Sequence, residues 1–167
     1  KPLKRRPAPP FITSTFQQAA SSRLKMSPSI AMNAASSLFQ KGYITYMRTD
    51  STVLSSDAIN ACRESIRRRF GEEYLPDSPR SYEKKVANAQ EAHEAIRPAG
   101  ESFRDPAEVE GKVSPAEAKV YEMIWQRTVA SQMNDFVGET TQVVLETDEE
   151  DKKNLTFSAS GTIVIHQ

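Results

Sequence analysis

The hydrophobic period of this 167-residue chain changes once, near Asn134, and that change limits its possible folds more than any other feature. Before it, apolar residues recur at the three- and four-residue spacing of amphipathic helices. After it, Val143 and Leu145, Leu155 and Phe157, and Ile163 and Ile165 alternate with other residues, as strands do. The expected architecture is therefore mainly α, with β segments flanking a helical block. Residues 1–10 carry four Pro beside Lys4, Arg5 and Arg6, which makes them a stiff basic connector or strand. The expected domains are a connector over 1–10, a helical domain over 11–134 and returning strands over 135–167. One economical arrangement is a helical domain inserted into a β-containing neighbour.

Local signals refine the block. Thr13 is placed to cap a helix over Phe16 to Leu24, and Ser27-Pro28 opens a second whose inward face is Ile30, Ala31, Ala34, Leu38 and Phe39, stopped by Gly42. Residues 43–47 are aromatic and β-branched and read as a short extended segment. Ser55 caps a third helix facing inward through Ile59, Cys62, Ile66 and Phe70, and residues 71–82 form a loop. Residues 88–96 read as a short helix ended by Pro98, and Ser114-Pro115-Ala116-Glu117 is a capping box opening a long helix toward Met133. The acidic run 148–151 is expected to be a solvated hairpin, since four consecutive acids lack the spacing of a magnesium or calcium site.

Composition removes several function classes. No apolar stretch approaches the roughly 18 residues of a membrane span, so no membrane partner is expected. Cys62 is the single cysteine, which excludes an internal disulfide and a thiolate zinc cage and points to a reducing cytoplasm. The chain opens at Lys1 with no signal-peptide pattern and reads as a piece of something longer. Its 22 basic and 22 acidic residues balance, but residues 1–69 hold 12 Lys and Arg against 3 Asp and Glu, and residues 70–167 hold 10 against 19. That split either draws a polyanion to the first half or reflects solvated helix faces of different composition.

Two polar constellations remain. In Thr45-Tyr46-Met47-Arg48-Thr49-Asp50-Ser51, an extended backbone puts the Tyr46 phenol and the Arg48 guanidinium on one face and Met47 on the other. A phenol beside a forked cation suits a phosphate, with Arg48 stabilising charge that develops at phosphorus and Asp50 orienting Arg48. The same spacing also fits a tyrosine whose ring belongs to the core. In Asn88 to Pro98, a helix aligns Gln90, His93, Glu94 and Arg97 along one polar side. His93-Glu94 begins like a zinc-protease motif, but Arg97 stands where the second His is required. His93 is then a phosphate-contacting or proton-handling group, or a surface residue.

Pro10-Phe11-Ile12-Thr13-Ser14-Thr15, the segment from Gly42 to Ser51, Asn88 to Pro98, and Ile124 to Met133 together closely resemble the bacterial type IA DNA topoisomerases, in order and without a long gap. The resemblance implies that Tyr46 is the nucleophile, forming a 5′-phosphotyrosyl link with one DNA strand and freeing a 3′-hydroxyl that later reseals it, so that negative supercoils relax. Arg48 matches the family arginine beside the scissile phosphate and His93 a histidine near the active-site interface. Thr45, Arg48, Thr49, Asp50 and Arg97 are the expected DNA contacts. The implied fold is a helical, winged-helix-like domain that carries the tyrosine and hangs from a β-rich arch. The implied partners are single-stranded or negatively supercoiled DNA and the enzyme's own Toprim and DNA-groove domains, in the bacterial cytoplasm at the nucleoid. Neither domain has a counterpart here, so the magnesium of the intact enzyme is expected elsewhere, none is expected on this chain, and the chain alone is expected to be inactive. Where the family reads Thr-Leu-Gln-Gln-Glu-Ala, this sequence has Thr15-Phe16-Gln17-Gln18-Ala19-Ala20. The rival functions are a non-catalytic helical DNA-binding module and a structural interaction domain.

Overall fold

The computed structural model describes residues 1–82, 93–146 and 156–166. They fall into two compact units, one of residues 8–133 and one formed by residues 1–7 with 134–167. The larger unit contains α1 (Thr13–Leu24), α2 (Pro28–Gln40), α3 (Ser56–Arg69), α4 (Pro106–Glu110) and α5 (Pro115–Ser131). Helices α1 to α4 each pack on α5. That central role explains why α5 buries Val120, Tyr121, Met123, Ile124, Trp125 and Val129 and exposes only a stripe through Lys119, Glu122 and Gln126. Phe11, Phe16, Leu38, Ile44, Ile66 and Ile96 complete the core, each side chain contributing roughly 1.5–3 kcal/mol by leaving water.

The helix starts follow the sequence at three places. Ser27 and Ser55 accept from Ile30 N and Ala58 N, and Ser114 and Glu117 form the reciprocal box on α5. Gly42, at φ 74°, closes α2. Tyr43 N donates to Leu38 O and Gly42 N to Phe39 O, the paired bonds of a helix end whose left-handed residue favours glycine. At α1 the structure differs from expectation. Ile12 is the cap residue, with Thr15 Oγ1 accepting from its N–H at 3.1 Å, and Thr13 is the first helical residue, its hydroxyl turned elsewhere. Phe16 and Ala19, the two positions where the family pattern changes, are both buried and so pack within the core.

Two helical faces are rotated from the expected ones. In α2 the buried set is Ala31, Ala34, Ala35 and Leu38, while Ile30 and Phe39 lie in solvent. In α3 it is Ala58, Ala61, Cys62, Ser65 and Ile66, with Phe70 exposed. Small residues let these helices approach closely, so alanine-lined faces turn inward and the larger side chains fall at the margins. The helix expected over 88–96 is not found where it can be seen: residues 83–92 lie outside the described part, and residues 93–98 are not helical but carry antiparallel bridges at Ile96 and Pro98. Pro98 disfavours a helical conformation just before it, and Ala95 N and Ile96 N donate to Val53 O and Phe11 O instead of to a preceding turn.

The smaller unit is an antiparallel sheet of order β1-β2-β3, made of Pro2–Arg5, Phe136–Glu146 and Thr156–His166. Leu3 faces Gly138, and Leu145 faces Phe157. The acidic run 148–151 lies outside the described residues. Among those described, no helix is long and apolar enough to cross a membrane.

Candidate active site around Tyr46

Three segments meet beside the end of α2: the stretch before α1, residues 43–53, and residues 93–99. Single bridges join Phe11 to Ile96 and Ile44 to Pro98, both antiparallel. Thr45 seals the second junction. Its N–H donates to Arg97 O, its hydroxyl donates to Ala95 O at 2.8 Å, and the same oxygen accepts from Arg97 N at 2.9 Å. The backbone bends at Met47 instead of running on as the expected extended segment, yet exposure alternates along it. Met47 is buried at 7% exposure, whereas Tyr46 is 49% exposed and Arg48 and Asp50 lie open to solvent.

Thr13 clips the far end of the segment. Its hydroxyl lies 2.8 Å from Met47 O and 3.1 Å from Thr49 O and accepts from Thr49 N at 2.9 Å, while its own N–H donates to Thr49 O. One residue of α1 thus fixes the backbone on both sides of Arg48. Thr49 Oγ1 accepts from Ser51 N and continues the turn. The Tyr46 ring stands edge-to-face on Phe39, centroids 5.2 Å apart at 61°. Among the described residues the Tyr46 hydroxyl and the Arg48 guanidinium have no hydrogen-bond or ion-pair partner, and Asp50 makes no ion pair with Arg48. The expectation that Asp50 orients Arg48 therefore has no contact behind it.

Arg97 is built differently from Arg48. It is buried, its Nε and Nη2 donate to the two Glu94 oxygens at 3.0 and 2.9 Å, and its Nη1 donates to Pro98 O and Gly100 O. Glu94 Oε1 also accepts from Ser55 N, tying the 93–99 segment to the start of α3. Burial tends to raise the Glu94 pKa, but hydrogen bonds from Arg97 and Ser55 outweigh it and hold the carboxyl below its ordinary value. Thr45 and Arg97 are expected on DNA, yet their polar groups already bond within the protein, Thr45 to backbone and Arg97 to the Glu94 carboxylate and two carbonyls. They hold the segment in place. His93 is exposed at the start of 93–99 and not on a helix face, so His93, Glu94 and Arg97 do not share a helical row, and Gln90 lies outside the described residues.

Cys62 is buried beside Thr128 O, and burial pushes its thiol up to about 12 despite the nearby Arg97 charge, so it is core and not a nucleophile. Trp125 is buried with the Arg69 guanidinium 5.1 Å over its ring, which leaves it no stacking face for a base. Among the described residues no three His, Cys, Asp or Glu side chains group as a metal-holding set. The described residues therefore do not fit a magnesium cage.

Sequence reasoning missed three contributors. Thr13 reads as a helix cap and not as a clip on residues 47–49, because its partners lie 34 and 36 residues away. The opposite charges of Glu94 and Arg97, three apart, carried a signal that a helical reading assigned to solvent. Phe39 carried none.

The whole chain, residues 1–167, matches the family model described as DNA topoisomerase. It is 54% identical over 157 residues to DNA topoisomerase 1 of Mycobacterium leprae, covering 94% of this chain and 16% of that protein. It is 49% identical over 167 residues to DNA topoisomerase 1 of Streptomyces coelicolor, covering 99% and 17%. Among solved structures, full-length topoisomerase I from Thermotoga maritima superposes with a TM-score of 0.76 at 37% identity, over 99% of this chain and 26% of that one. The chain thus spans about a sixth of the length of the curated relatives it matches.

Proposed function

Because this chain belongs to the bacterial type IA DNA topoisomerases, we propose that it is the strand-cleaving part of such an enzyme, with Tyr46 as the nucleophile. The Tyr46 phenol oxygen attacks a backbone phosphorus of single-stranded or negatively supercoiled DNA. A phosphorus–oxygen bond forms to the tyrosine, and the bond from phosphorus to the 3′-oxygen of the preceding nucleotide breaks. That oxygen leaves as the 3′-hydroxyl, taking up a proton, and the 5′-phosphate stays on the enzyme. Attack by the same hydroxyl reverses the exchange after a strand has passed, and ester energy is conserved throughout.

Arg48 is the phosphate stabiliser in this reading. Its five-donor guanidinium lies in solvent, as the phenol does, where it offsets charge developing on the phosphoryl oxygens. His93 supports the site from the 93–99 segment, and Asp50 and Thr49 flank the path of the strand. Thr45 and Arg97 act as positioning residues. The helical unit of residues 8–133 serves as the mainly α, winged-helix-like gate, and the three-stranded sheet belongs to the arch that carries it. The Toprim and DNA-groove domains of the longer protein complete the site in the cytoplasm, and magnesium is held there.

The observation that carries the proposal is the alternation at 46–48, with phenol and guanidinium both in solvent and Met47 buried between them. The test uses full-length enzyme with a single-stranded oligonucleotide and a detergent quench. Tyr46→Phe is expected to abolish the covalent adduct and leave binding intact. Mass spectrometry that locates the nucleotide on another side chain would overturn the assignment, and binding without an adduct in the wild type would favour a DNA-binding module.

A further inference from the structure

Phe39 poses a question that the reaction above does not answer. It is a large apolar side chain, 40% exposed, in the last turn of a helix whose preceding residue, Leu38, is fully buried. Its ring meets the ring of Tyr46 edge-to-face. Both backbones beneath these rings are fixed. The end of α2 is closed by the Gly42 and Tyr43 bonds to Phe39 O and Leu38 O, and the Tyr46 backbone is held between the Ile44–Pro98 bridge and the buried Met47. What remains free is side-chain rotation. A half-exposed tyrosine whose hydroxyl has no hydrogen bond among the described residues has several staggered orientations open to it.

We propose that Phe39 is the positioning residue of the nucleophile, its ring holding the Tyr46 phenol in the orientation from which the oxygen reaches phosphorus. The proposal rests on the reading of Tyr46 as nucleophile. An edge-to-face aromatic pair favours one relative orientation by a factor of roughly three to ten. A reacting oxygen gains in proportion to the time it spends near its attack geometry. Phe39 has no polar atom, so it neither moves a proton nor binds phosphate. Its effect therefore falls on the rate of bond formation, not on the affinity for DNA.

The experiment compares full-length enzymes carrying Phe39→Ala, Phe39→Leu and Phe39→Tyr. Single-turnover adduct formation on a single-stranded oligonucleotide gives the chemical rate. The Kd of the same oligonucleotide, measured in a Tyr46→Phe background, gives binding. Phe39→Ala and Phe39→Leu are expected to slow adduct formation roughly three- to tenfold with Kd changed less than about twofold, and Phe39→Tyr, which keeps the ring, is expected to restore the rate. Because leucine retains apolar bulk, Phe39→Leu remains decisive if the alanine variant folds poorly. A Phe39→Leu enzyme that cleaves at the wild-type rate would overturn the proposal, as would a Kd that weakens in step with the rate, since that pattern belongs to a DNA contact. Retention of the adduct by Tyr46→Phe alone would instead remove the nucleophile reading, so the two failures are distinguishable.

Discussion

Arg48 and Arg97 share a side chain and differ in everything around it. Arg97 is buried and committed to Glu94 and two carbonyls, whereas Arg48 is exposed and makes no ion pair among the described residues. A guanidinium whose donors are uncommitted is the one available to an incoming phosphate. Arg48→Ala is expected to lower single-turnover cleavage by the full-length enzyme by about 10²–10³, and Arg48→Lys to restore only part, because a point charge lacks the fork. At Thr13 the expected effect is on order. Thr13→Val removes the acceptor of Thr49 N and the donor to Met47 O, costing about 1–2 kcal/mol locally, while Thr13→Ser keeps both bonds. Hydrogen exchange at the Thr49 amide is expected to rise in the valine variant alone.

Two ion pairs tie the elements together, and each carries a pH signature. Lys41, just after α2, donates to both oxygens of Glu117 on α5 at 2.8 and 3.0 Å. Hydrogen bonds from Lys41 and then Ser37, with those from Ser114, outweigh burial and bring the Glu117 carboxyl down to about 2. A carboxyl lowered in the folded state stabilises above its unfolded pKa, and that stability is lost as pH falls from about 4.5 toward 2. Lys41→Met is expected to flatten this part of the urea stability profile by ~1–2 kcal/mol, a figure reduced because the lysine is about half exposed. Glu94, also lowered, acts in the same direction. Arg97→Met leaves its carboxylate partly buried without a cation and is expected to destabilise by about 2–4 kcal/mol, read as a shift in the urea midpoint at neutral pH.

For the molecule as a whole, the sheet and the helical unit expose different chemistry. Register pairs Leu145 with Phe157, Val143 with Ala159 and Glu139 with Ile163, so Val143, Leu145, Phe157 and Ile163 share one face, each more than half exposed. An apolar face of this kind promotes association in water. The isolated 167-residue chain is expected to self-associate in sedimentation experiments, and a Leu145→Lys, Phe157→Thr double variant to shift it toward monomer. Equal sedimentation of the two would refute that expectation. The helical unit carries most of the excess of basic residues in 1–69, so DNA binding by the full-length enzyme is expected to weaken with salt.

The sequence by itself determined whatever depends on period and on neighbours along the chain. The change near Asn134, the serine caps, the glycine stop at Gly42 and the opposite facing of Met47 and Tyr46 are local consequences of backbone geometry, legible within a few residues. Tertiary structure decided what depends on residues far apart. Only packing shows that alanine faces turn inward and leave Phe39 in solvent beside Tyr46. Only the meeting of three segments converts Thr13, Thr45, Glu94 and Arg97 into a frame around Arg48. Residues 93–98 are not helical because their N–H groups find better partners across the fold than along the chain, and distant hydrogen bonds leave no periodic trace.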